Sequence, residues 1–355
     1  MKTSSFESGR RNFLKRAAAG AVGLNLITAS KAISADKKAV IGSGEHTYEC
    51  EHFWGELPEN HTYGGATHGA AFDKQGLLYV THHGGPNSVF VFDPNGKFVK
   101  SMIPEHSKSE TTGSGHGIDI RTESDGKEYI YLSPNDSSMA FTKATIEGDI
   151  VWTRNKAQLV KESGVELKGY RPTNVSWGPN GDVFLGDGYG SGYIFRYSKD
   201  GKFLSAFGGK GKEDGKFQTP HGQWLDDRDG TPKTVVCDRA NKRLQWFDME
   251  NNHLKTMDGF LFPADIDIMG DLMAVPDLHS RITLLDKDDK VISHLGNDEA
   301  WHSRVQDKAE KMRASPDKWE EGKFVHPHDA AFDTDGNIFV VEWVVGGRVT
   351  KLRKV

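Results

Sequence analysis

Three histidines stand at matching places along a chain of 355 residues. Gly115-His116-Gly117 runs into Ile118-Asp119-Ile120, and Pro220-His221-Gly222 runs into Gln223-Trp224-Leu225-Asp226. Pro327-His328-Asp329 runs into Ala330-Ala331-Phe332-Asp333. The intervals are 105 and 107 residues, so in a chain built from repeats the three occupy equivalent positions. Imidazole is the commonest protein ligand for a transition metal. Three protein nitrogens with a fourth position left for water or substrate is the usual catalytic zinc arrangement. His116, His221 and His328 are therefore expected to meet at one zinc ion able to act as a Lewis acid. A lone His beside Gly or Pro can simply cap a turn; three in phase argue for the metal.

Repeated elements must hold these residues. From Gly65 onward the chain reads as short strands separated by Gly, Asp and Asn turns. One unit is His68 to Asp73, a turn at Lys74-Gln75-Gly76, Leu77 to Thr81, a loop, Ser88 to Asp93, a turn at Pro94-Asn95-Gly96, and Lys97 to Met102. Further units open at His116, Pro172, Pro220, Pro263 and Pro327. Six units of four antiparallel strands predict an all-β, six-bladed β-propeller over residues 36–355. The last unit has only three strands, so the extended stretch His46 to Phe53 is expected to supply the fourth and close the ring, leaving no free edge. The charged segments Asn155 to Gly169 and Asn297 to Lys323 exceed the template. They are read as excursions, the second as a helix lying over one rim.

In such a ring the innermost strands line a channel, and His116, His221 and His328 open alternate blades. Three imidazoles about 120° apart would point at the axis. His68 opens the first blade in the same phrase but breaks the alternation. It is read as lining the channel, with service as a fourth ligand the second choice. The loops between second and third strands reach the same mouth. They carry His82-His83-Gly84-Gly85, Asn135-Asp136, Asp187-Gly188-Tyr189-Gly190, Asp238-Arg239-Ala240-Asn241, Asp277-Leu278-His279 and Glu342-Trp343. Tyr189 is a candidate general base or hydrogen-bond donor, and Arg239 can clamp a carboxylate. Asp187 and Asp238 are read as turn formers that bond backbone amides. Asp329 points away from His328 and can bind a hard cation such as calcium together with backbone carbonyls.

Composition excludes some classes. A net charge of −5 without basic clustering does not suit a nucleic-acid binder. Two cysteines, Cys50 and Cys237, make no disulfide framework and are expected as buried free thiols. Residues 1–35 read as a twin-arginine signal peptide: Arg10-Arg11-Asn12-Phe13-Leu14-Lys15, a weakly apolar run from Ala17 to Ile27, and small residues around Ala32 to Ala35. The run is too short and too rich in Ala and Gly for a membrane span. The expected partner is the twin-arginine export machinery, and the expected location is periplasmic or secreted.

The phrases Arg171-Pro172-Thr173-Asn174-Val175, Gly186-Asp187-Gly188-Tyr189, Phe217-Gln218-Thr219-Pro220-His221-Gly222, Asp238-Arg239-Ala240-Asn241-Lys242-Arg243-Leu244-Gln245 and Pro327-His328-Asp329 resemble the NHL-repeat propellers. More narrowly, their order resembles peptidylglycine amidating lyase, which splits peptidyl-α-hydroxyglycine into peptide amide and glyoxylate. The resemblance implies zinc on His116, His221 and His328, a catalytic role for Tyr189 and an active-site role for Arg239. It also implies a structural calcium on Asp329 with the carbonyls of Ala70 and Ile118. One position departs: the family's arginine before the glycine of the first-blade loop is His83 here, which takes that arginine's place in the candidate catalytic set. The reading is an exported, zinc-dependent carbon–nitrogen lyase-like enzyme acting on a small molecule or peptide that carries a polar or carboxylate group. The alternatives are a propeller metallo-hydrolase or lactonase using the same mouth, and a non-catalytic NHL binding module.

Overall fold

The computed structural model describes residues 38–136, 138–167 and 169–355. The signal peptide expected over residues 1–35 lies outside the described residues. Six antiparallel sheets follow one another along the chain. Their first strands are Thr67–Phe72, Gly115–Thr122, Val175–Trp177, Pro220–Asp226, Asp267–Met269 and Pro327–Phe332. Each first strand touches that of the next sheet, and the sixth touches the first. The strands are thus arranged in a ring, and the fold is the six-bladed, all-β propeller expected from the repeat.

The ring is held by apolar layers between neighbouring blades. Side chains alternate across a strand, so the inward-facing set of one blade meets that of the next. Leu78, Val80, Phe90 and Phe92 of blade one pack on Phe339, Val341 and Val349 of blade six. Val235, Leu244 and Trp246 of blade four pack on Met273, Val275 and Leu285 of blade five. Each such buried side chain contributes roughly 1.5–3 kcal/mol, so the layers dominate cohesion. The sixth sheet has the order Val40–Ser43, His46–His52, Arg348–Lys354, Ile338–Glu342 and Pro327–Phe332. Cys50 sits opposite Leu352 in this pairing. Both cysteines are free and buried.

A repeated latch fixes the loops that enter the ring. A carboxylate ending the second strand accepts amide hydrogens from the entry loop of its own blade. Asp187 takes Arg171 N at 2.6 Å, Asp238 takes Gln218 N at 2.6 Å, and Glu342 takes Val325 N at 2.7 Å. Asp277 takes the amides of Leu261 and Phe262, both at 3.0 Å. In blades four to six an arginine opening the third strand pairs with the same carboxylate, as Arg243 with Asp238, Arg281 with Asp277 and Arg348 with Glu342. A buried carboxylate is tolerated because its lone pairs are met in this way. Asp187 and Asp238 thus act as the backbone-bonding residues that their loop setting suggests.

Two glycines explain the His-Gly phrase. A Cβ on Gly117 would lie 2.6 Å from Asn174 Cα, and one on Gly222 would lie 2.4 Å from Asp265 Cα. The inner strands approach too closely there for any side chain.

The two excursions are helical in part. Lys156–Ser163 starts with a capping box between Asn155 and Gln158. In the second, the helix is Glu299–Gln306, and the Asp307 to Lys311 stretch expected within it is not helical. The physical reason is Asp307, whose Oδ1 accepts Ala309 N at 2.9 Å and turns the chain out of the helix. This excursion does lie over a rim, and it is the histidine-bearing one. His302 Nδ1 donates to His279 O at 3.1 Å, and Arg313 Nη2 donates to Gly65 O at 2.6 Å. Among the described residues no helix is long and apolar enough to cross a membrane.

Close inner-strand contact makes a prediction. Gly222→Ala should lower the free energy of unfolding by about 1–3 kcal/mol through overpacking, read as a lower denaturant midpoint. An unchanged midpoint would mean that the strands are not held at this distance.

Candidate metal centre

His116, His221 and His328 come together on the axis. Their ring centres lie 5.0 Å (116–221), 4.7 Å (221–328) and 4.9 Å (116–328) apart. All three are buried. Each Nδ1 faces a backbone carbonyl of the next blade: His116 meets Thr173 O at 2.5 Å, His221 meets Ala264 O at 2.6 Å, and His328 meets His68 O at 2.8 Å. A carbonyl only accepts, so each Nδ1 carries the hydrogen and each Nε2 presents a lone pair. The acceptors are the residues at the equivalent position of blades three, five and one. The blades that alternate with the trio's thus orient its histidines, the outer-shell bond typical of metal-ligating imidazole.

The residues fit a metal ion. With Zn–N of about 2.1 Å, ring centres stand about 3.2 Å from the ion, and the observed separations correspond to angles of about 95–105°. Burial holds His116 and His221 well below the ordinary histidine value, and His328 is lowered to about 3 by burial and then by Arg239. The rings are therefore neutral, as ligands must be. His328 Nε2 is buried without a hydrogen-bond partner.

His68 lines the cavity at this mouth, as expected, and it also stands close to the trio. Its ring centre is 4.6 Å from those of His116 and His328. Among the described residues, the donor atoms that all lie within 4.8 Å of one another are those of His68, His116 and His328, and His221 joins the cluster by its ring distances of 5.0 and 4.7 Å.

Tyr189 and Arg239 join the cluster. Tyr189 Oη lies 3.0 Å from His221 Nε2 and 3.4 Å from His116 Nε2. Its loop is pinned by Asp187, which accepts Ser191 N at 2.8 Å and Ser191 Oγ at 2.7 Å. Arg239 is buried, with its guanidinium carbon 5.1 Å from the Tyr189 ring centre and 5.0 Å from that of Phe262. Its Nε has no hydrogen-bond partner. An unpaired buried guanidinium N–H is costly unless an anion meets it. A cavity of about 420 Å³ opens there, with Tyr189, Arg239, Phe262, His326 and Trp343 among its walls. His83 stacks on His68 with ring centres 4.1 Å apart, and its Nε2 is 3.1 Å from Asn135 Nδ2. Burial, then the charges of Lys108 and Arg171, lower His83 to about 4. It is a neutral group, not the fixed cation that an arginine would be.

Arg171 was not singled out from the sequence. Its guanidinium carbon lies 5.2 Å from the Tyr189 ring centre, and its Nε donates to Asn135 Oδ1 at 2.9 Å. Its place in the Arg-Pro phrase before blade three was the available signal.

Asp329, Ala70 and Ile118, the residues expected to bind calcium, line a separate cavity of about 360 Å³ together with Asp119, Asp265 and Asp267. Asp329 Oδ2 accepts the amide of Ala70 at 2.8 Å, and Oδ1 accepts Ala330 N at 2.7 Å. Asn174 Nδ2 donates to Asp265 Oδ2 at 2.5 Å. Burial raises Asp329 and Asp267 to about 7, and burial, then the Asp329 charge, holds Asp265 well above the usual carboxylate range. Carboxyls raised in this way hold protons on folding, so their contribution falls as pH rises from about 4 through 7. A divalent cation would replace those protons. In calcium-free buffer the unfolding midpoint should therefore drop between pH 5 and pH 8, and millimolar calcium should abolish the drop. Equal pH dependence in both buffers would count against a cation there.

No protein-family model matches the chain. Mouse peptidyl-glycine alpha-amidating monooxygenase is 28% identical over 188 residues, 50% of this chain and 18% of that protein. Human NHL repeat-containing protein 3 is 26% identical over 212 residues, 57% of each. The matches therefore span a fifth to somewhat over half of the relatives' lengths, at 18% and 57%. Among solved structures, a streptogramin B lyase superposes with a TM-score of 0.53 at 12% identity, over 86% of this chain and 98% of that one. A gluconolactonase from Xanthomonas campestris gives 0.54 at 11% identity, over 82% and 88%. At these identities the structural likeness is one of fold. In sequence and architecture the chain is a six-bladed, NHL-like β-propeller with relatives among the peptidylglycine amidating monooxygenases and the NHL-repeat proteins.

Proposed function

We propose that this propeller is a metal-dependent, carbon–nitrogen lyase-like enzyme, with zinc held by His116, His221 and His328. The observation that carries the reading is the three outward-anchored imidazoles, with the Tyr189 hydroxyl among their free nitrogens and the unpaired Arg239 beside them. A bound zinc would supply Lewis acidity toward a substrate oxygen. The chain's own groups account for the rest. Arg239, desolvated against Tyr189 and Phe262, binds a carboxylate. Tyr189 takes the proton of a hydroxyl on the carbon that bears the leaving nitrogen, and returns it to that nitrogen as the carbon–nitrogen bond breaks. A peptidyl-α-hydroxyglycine meets these demands and would yield an amide and glyoxylate. The amidating monooxygenases among the sequence relatives support that substrate class. His83 lends a neutral donor or acceptor to the same mouth.

The same proposal includes a calcium ion on Asp329 near the backbone of Ala70 and Ile118, as a brace for the inner strands. It includes export by the twin-arginine machinery to a periplasmic or secreted location, with the cation sites filled before export. It also takes the pairing of His46–His52 with Arg348–Lys354 as the fastening of the ring, since it joins distant parts of the chain in one sheet.

The test is glyoxylate release from an α-hydroxyglycine peptide. Wild type should release it, Tyr189→Phe should be slower by about 10²–10⁴-fold, and Arg239→Ala should raise KM for substrates with a free carboxylate. No release by metal-loaded wild type, with turnover of a lactone instead, would replace the lyase reading by a hydrolytic one.

A further inference from the structure

We propose that His68 is a fourth protein ligand, so that the ion is held by four imidazoles. The inference rests on the metal reading above and goes beyond the alternating trio. His68 is 3% exposed, and neither of its ring nitrogens has a hydrogen-bond partner. A buried imidazole with both nitrogens unsatisfied is rare and costly. Its surroundings offer no ordinary remedy: the neighbouring rings are His83, His116 and His328, at 4.1, 4.6 and 4.6 Å between centres. The separations from His116 and His328 match those within the trio, which run from 4.7 to 5.0 Å. Donor atoms of His68 also fall within the 4.8 Å group that includes His116 and His328. A shared ion satisfies one nitrogen of His68 and the orphaned Nε2 of His328 at once.

The backbone of His68 is already part of the centre, because its carbonyl accepts the Nδ1 hydrogen of His328 at 2.8 Å. One residue would then orient a ligand through its main chain and supply another through its side chain. The ring itself lacks the carbonyl anchor of the other three. His68 also lines the cavity that contains Tyr189 and Arg239, so it lies on the side from which a substrate would arrive. Four imidazoles with a substrate oxygen added require five-coordination, to which catalytic zinc can expand.

The test uses the full chain, stripped of metal and titrated with zinc against a chelating dye and with cobalt(II) by visible spectroscopy. His68→Ala is expected to weaken zinc binding by about 10–100-fold and to change the intensity and position of the cobalt bands. His328→Ala serves as the reference for loss of a trio ligand, and His68→Gln replaces the alanine variant should that one fail to fold. Unchanged affinity and spectrum in His68→Ala, with binding lost in His328→Ala, would overturn the fourth ligand and leave the trio standing. Failure of the wild-type protein to bind either metal would overturn the trio as well.

Discussion

The hydrogen bond from each axial imidazole to the carbonyl of the next blade is the constraint on which this site depends. It settles the tautomer of His116, His221 and His328, leaving the Nε2 of each free of the backbone. It is also an inter-blade bond, so it forms only when neighbouring inner strands lie close. Gly117 and Gly222 permit that approach, since any side chain there would strike the adjacent strand. The apolar layers between blades supply the force that keeps the strands together. Packing, backbone and metal chemistry are thus one arrangement seen at three scales.

A second device converts the ring into a mouth with fixed chemistry. Carboxylates at the ends of second strands bind the entry-loop amides, and the loops that follow carry Tyr189 and Arg239. Because these groups sit in a site of low dielectric, their mutual interactions are strong and an unpaired donor is expensive. Arg239 with its free Nε and His328 with its free Nε2 are the places where a ligand would return most. The excursion at residues 297–323 packs over this rim through Trp301, whose Nε1 donates to Phe324 O at 2.5 Å, and through Arg313 stacked at 3.8 Å on Trp343. It shields the mouth with aromatic and cationic surface.

Much of this was legible in the sequence, for identifiable reasons. Strands of a propeller are local, short and bounded by Gly and Asp turns, so the blades could be counted before any contact was known. Near-equal spacing of His116, His221 and His328 carried the axial convergence, because symmetry turns a sequence interval into an angle. The carbonyls of Thr173, Ala264 and His68 were not legible, since a backbone acceptor leaves no residue signature. The nearness of His68 to two of the trio was not legible, because alternation was the only rule applied and it says nothing of a ring from an intervening blade. The helix expected in the Asn297 to Lys323 segment is shorter than its composition suggests, because an Asx turn at Asp307 ends it. The amide of Ala70 on Asp329 is likewise a contact between blades, 259 residues apart in sequence, that no local pattern encodes.

The central claim is that three anchored imidazoles share one ion, and anomalous diffraction from crystals of zinc-loaded protein tests it most directly. A map computed at the zinc absorption edge should hold a single strong axial peak about 2.1 Å from Nε2 of each of His116, His221 and His328. Absence of that peak, or zinc bound only away from these nitrogens, would contradict the account.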